Sequence, residues 1–321
     1  MAWSFAHRIA LISLLITTQA WAAFPDRPIH LVVPFGPGGG TDILARIVAD
    51  HLGRALGSPV VVENRPGAGG TIGSDYVAKA KPDGYTLLMG TNATLALAPG
   101  LYRRLPYDPV KDYMPVESIA SGPSVLVVNP SVPVTDVKSL VSYIKAHPGK
   151  LNYGSAGNGS MAHIATSLMN KMTGTETVHI PFKGGAAATQ ELVAGRLQFM
   201  IAGSVETVPL IDAGRVRALA VTTSTRFPTF PTLPTMSEAG IPGYEITNWF
   251  GLFAPAGTPS DVVNLLAEKV GASLADPALK EAFLKQGVEP FPIGPASYSN
   301  FVRKEVEKWT RAVREMNIAS D

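Results

Sequence analysis

The sequence predicts an α/β fold built on a largely parallel sheet. Short β-branched runs alternate with segments whose apolar residues recur at helical spacing, the rhythm of βαβ units. Glycine-rich breaks stand between strand and helix, with Gly 31 and Pro 27 in a chain of 321 residues and no collagen-like period. The length suits two domains at roughly 150 residues each.

The elements follow in order. Met1–Ala23 has the plan of a secretory signal peptide: Arg8 in a basic n-region, the apolar run Ile9–Ile16, and Ala20-Trp21-Ala22 as a small-x-small cleavage site. The run is too short for a membrane span, which needs about 20 residues. Export to a bacterial periplasm is therefore expected, with cleavage near Ala22/Ala23. Ile29–Val33 reads as a strand, Gly36–Gly40 as a break, and Thr41-Asp42 as the start of a helix carrying Ile43, Leu44, Ile47, Val48 and Leu52. Val60–Val62 and Thr86–Met89 are strands flanking a second glycine-rich loop, Arg65–Gly73, and a helix through Ala80. Ser124–Asn129 is a strand and Asp136–Ala146 a helix. Leu151–Tyr153, Thr177–Ile180, Phe199–Ile201 and Arg217–Val221 are further strands, with helices expected at about 160–172 and up to Ala194. Ile246–Ala254 is a last strand, and Pro259–Leu274, Pro277–Gln286 and Pro295–Asn317 are helices opened by proline, whose missing N–H costs nothing there.

Composition narrows the function. Hydrophobic residues are 46 % and charged residues 16 %, which excludes a disordered chain. Net charge is +2 with no basic run, so no nucleic-acid footprint is visible. The absence of cysteine excludes disulfides, thiolate metal sites, thiol nucleophiles and an acylated cysteine anchor. No Walker loop is present, and Gly67-Ala68-Gly69-Gly70-Thr71-Ile72 has Ile where a dinucleotide fingerprint needs its third glycine. No nucleophile elbow or zinc-protease motif occurs, and the histidines lack ligand-pair spacing. Neither a cofactor, a metal nor a catalytic residue is expected.

What remains is a set of glycine-rich loops leading into helices: 34–42, 65–73, 154–160 and 182–186. Such loops are either ordinary βα turns or anion sites, because a helix N-terminus offers unpaired N–H groups and the positive end of the macrodipole. Ser155 and Ser160 read as hydroxyl donors beside those amides. His163 either touches a ligand or is a structural side chain, and Lys183 either pairs with a carboxylate or points to solvent. Val33-Pro34-Phe35-Gly36 and Ile180-Pro181-Phe182-Lys183-Gly184 repeat one plan of strand, Pro-Phe, loop and helix, so the two loops could face each other across a cleft.

At these loops the chain resembles the Bug family, the periplasmic solute-binding proteins of tripartite tricarboxylate transporters. The resemblance rests on Phe24-Pro25-Asp26-Arg27-Pro28-Ile29, Val32–Phe35 with Gly38–Asp42, Val62–Gly70, Lys81–Leu87, Tyr153–Gly157, Pro181–Gly184 and Gly251–Pro259, collinear over nearly all the mature chain. It implies a type II periplasmic-binding-protein fold: two α/β domains around a central ligand cleft, joined by crossing strands. Residues 24–124 and 246–321 would form a discontinuous first domain and 125–245 the second. It also implies Venus-flytrap closure over a small organic carboxylate (a di- or tricarboxylate, or an aromatic one) and delivery to membrane permease subunits, by a monomer that is not an enzyme. Carried over, the ligand-binding positions are Phe35, Gly38, Gly39, Gly40, Thr41 and Asp42 on the first loop and Thr91 and Asn92 after the third strand. On the facing side they are Ser155, Asn158, Gly159, Ser160, His163, Lys183, Gly184, Gly185, Ala186 and Ser204. Phe182 and Trp249 join Phe35 as candidate apolar wall. The family pattern of Asp followed by Asn or Ser after the strand at Phe199–Ile201 is replaced by Ala202-Gly203-Ser204, which argues against an amino-acid ligand such as aspartate or glutamate. The alternative function is an exported carboxylate sensor docking on a signalling partner.

Overall fold

The computed structural model describes residues 24–316; the signal-peptide segment and the last five residues lie outside them. The strands are β1 (Ile29–Val33), β2 (Val60–Asn64), β3 (Thr86–Thr91), β4 (Tyr113–Val128), β5 (Asn152–Ser155), β6 (Val178–Pro181), β7 (Phe199–Gly203), β8 (Arg217–Val221), β9 (Thr247–Pro255) and β10 (Glu289–Pro290). The helices are α1 (Gly40–Leu56), α2 (Thr71–Ala78), α3 (Ala98–Leu101), α4 (Val137–Ala146), α5 (Met161–Thr173), α6 (Gly185–Val193), α7 (Ser204–Asp212), α8 (Ser260–Ala275), α9 (Pro277–Lys285) and α10 (Pro295–Met316).

The sheet runs β2-β1-β3-β9-β4-β7-β5-β6, with β8 and β10 also on β4. β1 pairs in parallel with β2 and β3, and β5 with β6 and β7. These parallel groups are the βαβ units that the alternating pattern predicts. The two long strands β4 and β9 join them. Tyr113–Pro123 of β4 pairs antiparallel with β9, and from Ser124 the same strand pairs with β7 and β8 instead. The change of partner falls at Pro123, which has no N–H to give to a ladder.

Apolar periodicity places the core as expected. On α1, Leu44, Ala45, Val48, Ala49 and Leu52 are buried against β1 and α8. On α10, Tyr298, Val302, Trp309 and Val313 are buried at helical spacing and pack with Trp249 and Phe253 beside residues 93–101. Three regions differ from the sequence expectation. β4 begins at Tyr113 rather than Ser124, because Glu117, Ser118, Ser121 and two prolines hide its strand character, and two register shifts accommodate them. Residues 93–101 form a π turn followed by α3. α7 occupies a stretch whose β-branched residues and internal Pro209 conceal a helix.

Candidate ligand cleft

Four helices begin at one place. α1 and α7 start directly after a strand or its loop, and α5 and α6 follow the glycine-rich loops of the other half of the sheet. A cavity of about 90 Å³ between them is lined by Gly39, Gly40 and Thr41 of α1, by Ser160, Met161 and Ala162 of α5, by Gly185 of α6 and by Gly203–Glu206 of α7. None of the four N-caps uses a side chain to satisfy the first-turn N–H groups. Those amides and the aligned helix dipoles therefore make an electropositive wall out of backbone alone. Phe35, Thr91, Asn92, Ala93, Ala156, Met200, Asn248, Phe250 and Val288 complete it. No Lys, Arg or His is among these lining residues.

The two loops with the shared Pro-Phe plan meet face to face. A methyl group on Gly36 would stand 2.8 Å from the Lys183 carbonyl oxygen, and one on Gly184 would stand 3.5 Å from the Gly36 backbone. The Gly36 approach is too close for any Cβ and requires glycine, whereas the Gly184 distance is an ordinary packing contact. A second bridge lies at the Tyr102 hydroxyl, which donates toward the Ala68 carbonyl at 2.8 Å and the Asn158 carbonyl at 3.2 Å.

Of the positions drawn from the resemblance, Phe35, Gly39, Gly40, Thr41, Thr91, Asn92, Ser160, Gly185 and Ser204 line the cavity. The rest do not, and each has a structural reason. Asp42 is 3 % exposed and turned back into its own loop. It accepts from the Gly38 N–H at 2.9 Å, from Arg46 Nε and Nη2 at 3.0 Å each, and from Asn64 Nδ2 at 2.9 Å. Burial pushes its carboxyl up, but these bonds outweigh burial and hold it below the usual range. Gly38 serves that loop with a positive φ of 76°. Ser155 Oγ accepts from the Gly157 N–H at 3.1 Å and bonds His179 Nε2 at 2.6 Å. His163 Nδ1 accepts from the Gly159 N–H at 3.2 Å, and its ring stacks on His179 at 4.2 Å. Burial pushes both imidazoles down, His179 to about 4 with the neighbouring His163 adding to the effect. Ser155, Gly159 and His163 thus shape the loop before α5. Asn158 and Lys183 are exposed, Gly184 packs against Gly36, and Ala186 sits one residue into α6 behind Gly185.

The apolar wall also differs. Trp249 is buried in the core and donates Nε1–H to Glu305, whereas its neighbours Asn248 and Phe250 face the cavity. Alternation along β9 makes that choice, since adjacent side chains leave opposite faces. Phe182 packs instead beneath α6 and β7.

Sequence reasoning missed Glu206. Its Oε1 accepts the Gly40 N–H at 3.1 Å. Burial pushes its carboxyl up, and the Gly40 bond opposes this. A methyl group on Gly185 would collide with both its oxygens. The carboxylate thus sits between the starts of α1 and α6 in the first turn of α7. It supplies, two residues beyond Ser204, an acid where the Ala202-Gly203-Ser204 replacement suggested none. A helix expectation over 204–212 is the signal that would have found it.

The family model described as "Tripartite tricarboxylate transporter family receptor" matches residues 44–318. The chain belongs to this TctC family. It is a periplasmic solute-binding protein, and neither the family nor its structural neighbours are enzymes. Protein BugT of Bordetella pertussis is 38 % identical over 318 residues, 96 % of each chain. A "UPF0065 protein in tcbD-tcbE intergenic region" of Pseudomonas sp. strain P51 is 40 % identical over 316 residues, covering 97 % of this chain and 94 % of its own. Among solved structures, periplasmic binding protein BugD superposes with a TM-score of 0.89 at 35 % identity, covering 92 % of this chain and all of its own. An R. palustris protein solved with adipate gives 0.88 at 40 % identity, covering 91 % and 98 %. MatC from Rhodopseudomonas palustris with bound malate gives 0.87 at 35 % identity, covering 90 % and 100 %. These superpositions identify the type II periplasmic-binding fold of the TctC and Bug proteins.

Proposed function

We propose that this TctC-family receptor captures a small organic carboxylate in the four-helix cleft and delivers it to the membrane permease of a tripartite tricarboxylate transporter. One observation carries the reading: four helix N-termini, none capped by the side chain of its own N-cap residue and only the Gly40 N–H taken by Glu206, converge on one cavity with no cationic side chain among its lining residues. Backbone N–H groups hold an anion by charge-assisted hydrogen bonds without the desolvation cost of a buried arginine. Such a site binds and also releases, as a receptor that hands over its cargo must. Relatives of the same fold were solved with adipate and malate, which fits this chemistry.

The lobes in this proposal are residues 24–124 with 246–321, and 125–245, hinged where β4 changes partner and along β9. Gly36 meeting Lys183 is then the closing edge. Cleavage of the leader near Ala22/Ala23 places the mature monomer in the periplasm. The test is thermal unfolding of the mature protein against mono-, di- and tricarboxylates and aromatic acids. A ligand of the native state raises the midpoint by mass action, about 2.7 kcal/mol of stabilisation at a hundredfold excess over Kd. No shift from any acid, with protein refolded free of co-purified ligand, rejects the carboxylate reading.

A further inference from the structure

Among the described residues that line the cavity, Glu206 alone is ionisable. We propose that Glu206 binds the ligand as a neutral acid, donating its carboxyl O–H to an oxygen of the ligand carboxylate, so that one proton is held in the cleft with each carboxylate bound. The inference rests on the carboxylate-receptor reading and adds to it a side chain that recognises the bound charge.

Placement is the first support. Glu206 Oε1 accepts the Gly40 N–H at 3.1 Å, and a methyl group on Gly185 would collide with the carboxyl. The group is therefore fixed between the starts of α1 and α6, on the cavity wall. It makes no other hydrogen bond and no ion pair among the described residues, so Oε2 is unpaired. A cavity of about 90 Å³ gives a ligand carboxylate no place remote from it.

Charge is the second. Two ionised carboxylates confined together without a cation repel strongly, and such a pair keeps a shared proton. The elements packed against α7 bring no cation to relieve it. Asp42 and Arg46 of α1 bond each other, and Glu191 of α6 pairs with Arg196. Glu117 of β4 accepts the Ser118, Ile293 and Gly294 N–H groups, and Lys183 before α6 is exposed. Which acid keeps the proton follows from the donors each has. A ligand carboxylate takes the free first-turn N–H groups, which favour its ionised form. Glu206 has the single Gly40 N–H, and burial pushes its carboxyl up. The proton then sits on Oε2, where an O–H donor meets an acceptor-only carboxylate in a strong charge-assisted bond. It is retained where Glu206 is already neutral in the empty cleft and taken from water where it is not; the ligand stays ionised in both cases.

Carbon-13 NMR reads that proton directly. Mature protein labelled at the glutamate side-chain carboxyl is saturated with adipate, malate or benzoate. Where none of these raises the unfolding midpoint, the acid of the wider panel that raises it most is used. Loss of one signal in Glu206→Gln identifies the residue. The expected result is a Glu206 signal at the neutral-acid position in the complex at pH 7. A signal at the carboxylate position overturns the proposal and leaves the receptor function standing. Calorimetry from pH 6 to pH 9 gives a second reading. If Glu206 is ionised in the empty cleft, wild-type affinity should fall by about tenfold per pH unit as pH rises. Glu206→Gln carries an N–H donor at every pH and should show no such fall. A parallel fall in both proteins overturns the proposal, as does a flat wild type whose empty cleft gives the carboxylate signal. A flat wild type whose empty cleft gives the neutral-acid signal supports it. If no acid of the panel binds, the carboxylate reading itself falls.

Discussion

Replacing Asp42 by alanine separates a residue that holds the cleft from one that touches its contents. The carboxylate is buried and receives four hydrogen bonds, two of them from Arg46. The Arg46 side chain is 53 % exposed and can return to water, so its share of the loss is small. The Gly38 N–H and the Asn64 amide lose their acceptor inside the loop, at roughly 1–1.5 kcal/mol each, for a total of about 2–3 kcal/mol. At about 2–4 °C per kcal/mol for a chain of this size, the midpoint should fall by about 5–10 °C. Asn64 also donates to the Phe35 carbonyl at 3.0 Å, so a loosened Asn64 frees the Phe35 wall, and ligand affinity falls as a consequence. The sign with pH follows from the lowered carboxyl. Its stabilisation is present above the unfolded value near 3.8 and disappears as pH falls through the lower folded value. Thermal unfolding by circular dichroism at pH 7 and at pH 3 reads both effects. An Asp42→Ala midpoint within about 1 °C of wild type at pH 7, with affinity lost all the same, would refute this placement of Asp42 and return it to direct ligand contact.

Three further outcomes are expected. Gly36→Ala places a methyl group 2.8 Å from the Lys183 carbonyl oxygen, so it should weaken ligand binding about tenfold or more by holding the loops apart, with little change in unliganded stability. Affinity measured beside the unfolding midpoint tells the two apart. Tyr102→Phe removes the hydroxyl shared by Ala68 and Asn158 and should raise the ligand dissociation rate severalfold in stopped-flow, about 1 kcal/mol of hydrogen bonding being at stake. His179 lies near 4 when folded against an ordinary 6.5. Its stabilisation, at most about 3 kcal/mol, is complete above pH 6.5 and lost as pH falls toward 4. Denaturant unfolding across that window should show a smaller slope in His179→Gln than in wild type.

The parallel units were readable because their signals are local. β1 is a run of buried Ile, Leu and Val residues broken only by the exposed His30, glycines follow it, and Leu44, Val48 and Leu52 come next at helical spacing. Each fact fits within one turn of chain. β4 was half missed because its first part earns its place by pairing with β9, more than a hundred residues away, and its Glu117 and two prolines oppose a strand locally. α7 was missed for the same reason in reverse: Val205, Thr207, Val208 and Pro209 have poor helix propensity, and burial of Val205, Thr207 and Val208 overrides it.

The candidate site divides along the same line. Where backbone lines the cavity, glycines mark it, and Gly39, Gly40 and Gly185 could be picked from sequence. Where a side chain carries it, the sequence cannot say which way the chain faces. Asp42 and Glu206 both lie in the first turn of a helix at the cleft. One turns away from the cavity to Gly38, Arg46 and Asn64, and the other reaches across to the Gly40 N–H of α1. The difference is set by what stands opposite. Arg46, one turn along α1, draws Asp42 away from the cavity, while no cation lining the cavity competes with the helix ends for Glu206. The acid that shapes the cleft is therefore the one without an arginine one turn away.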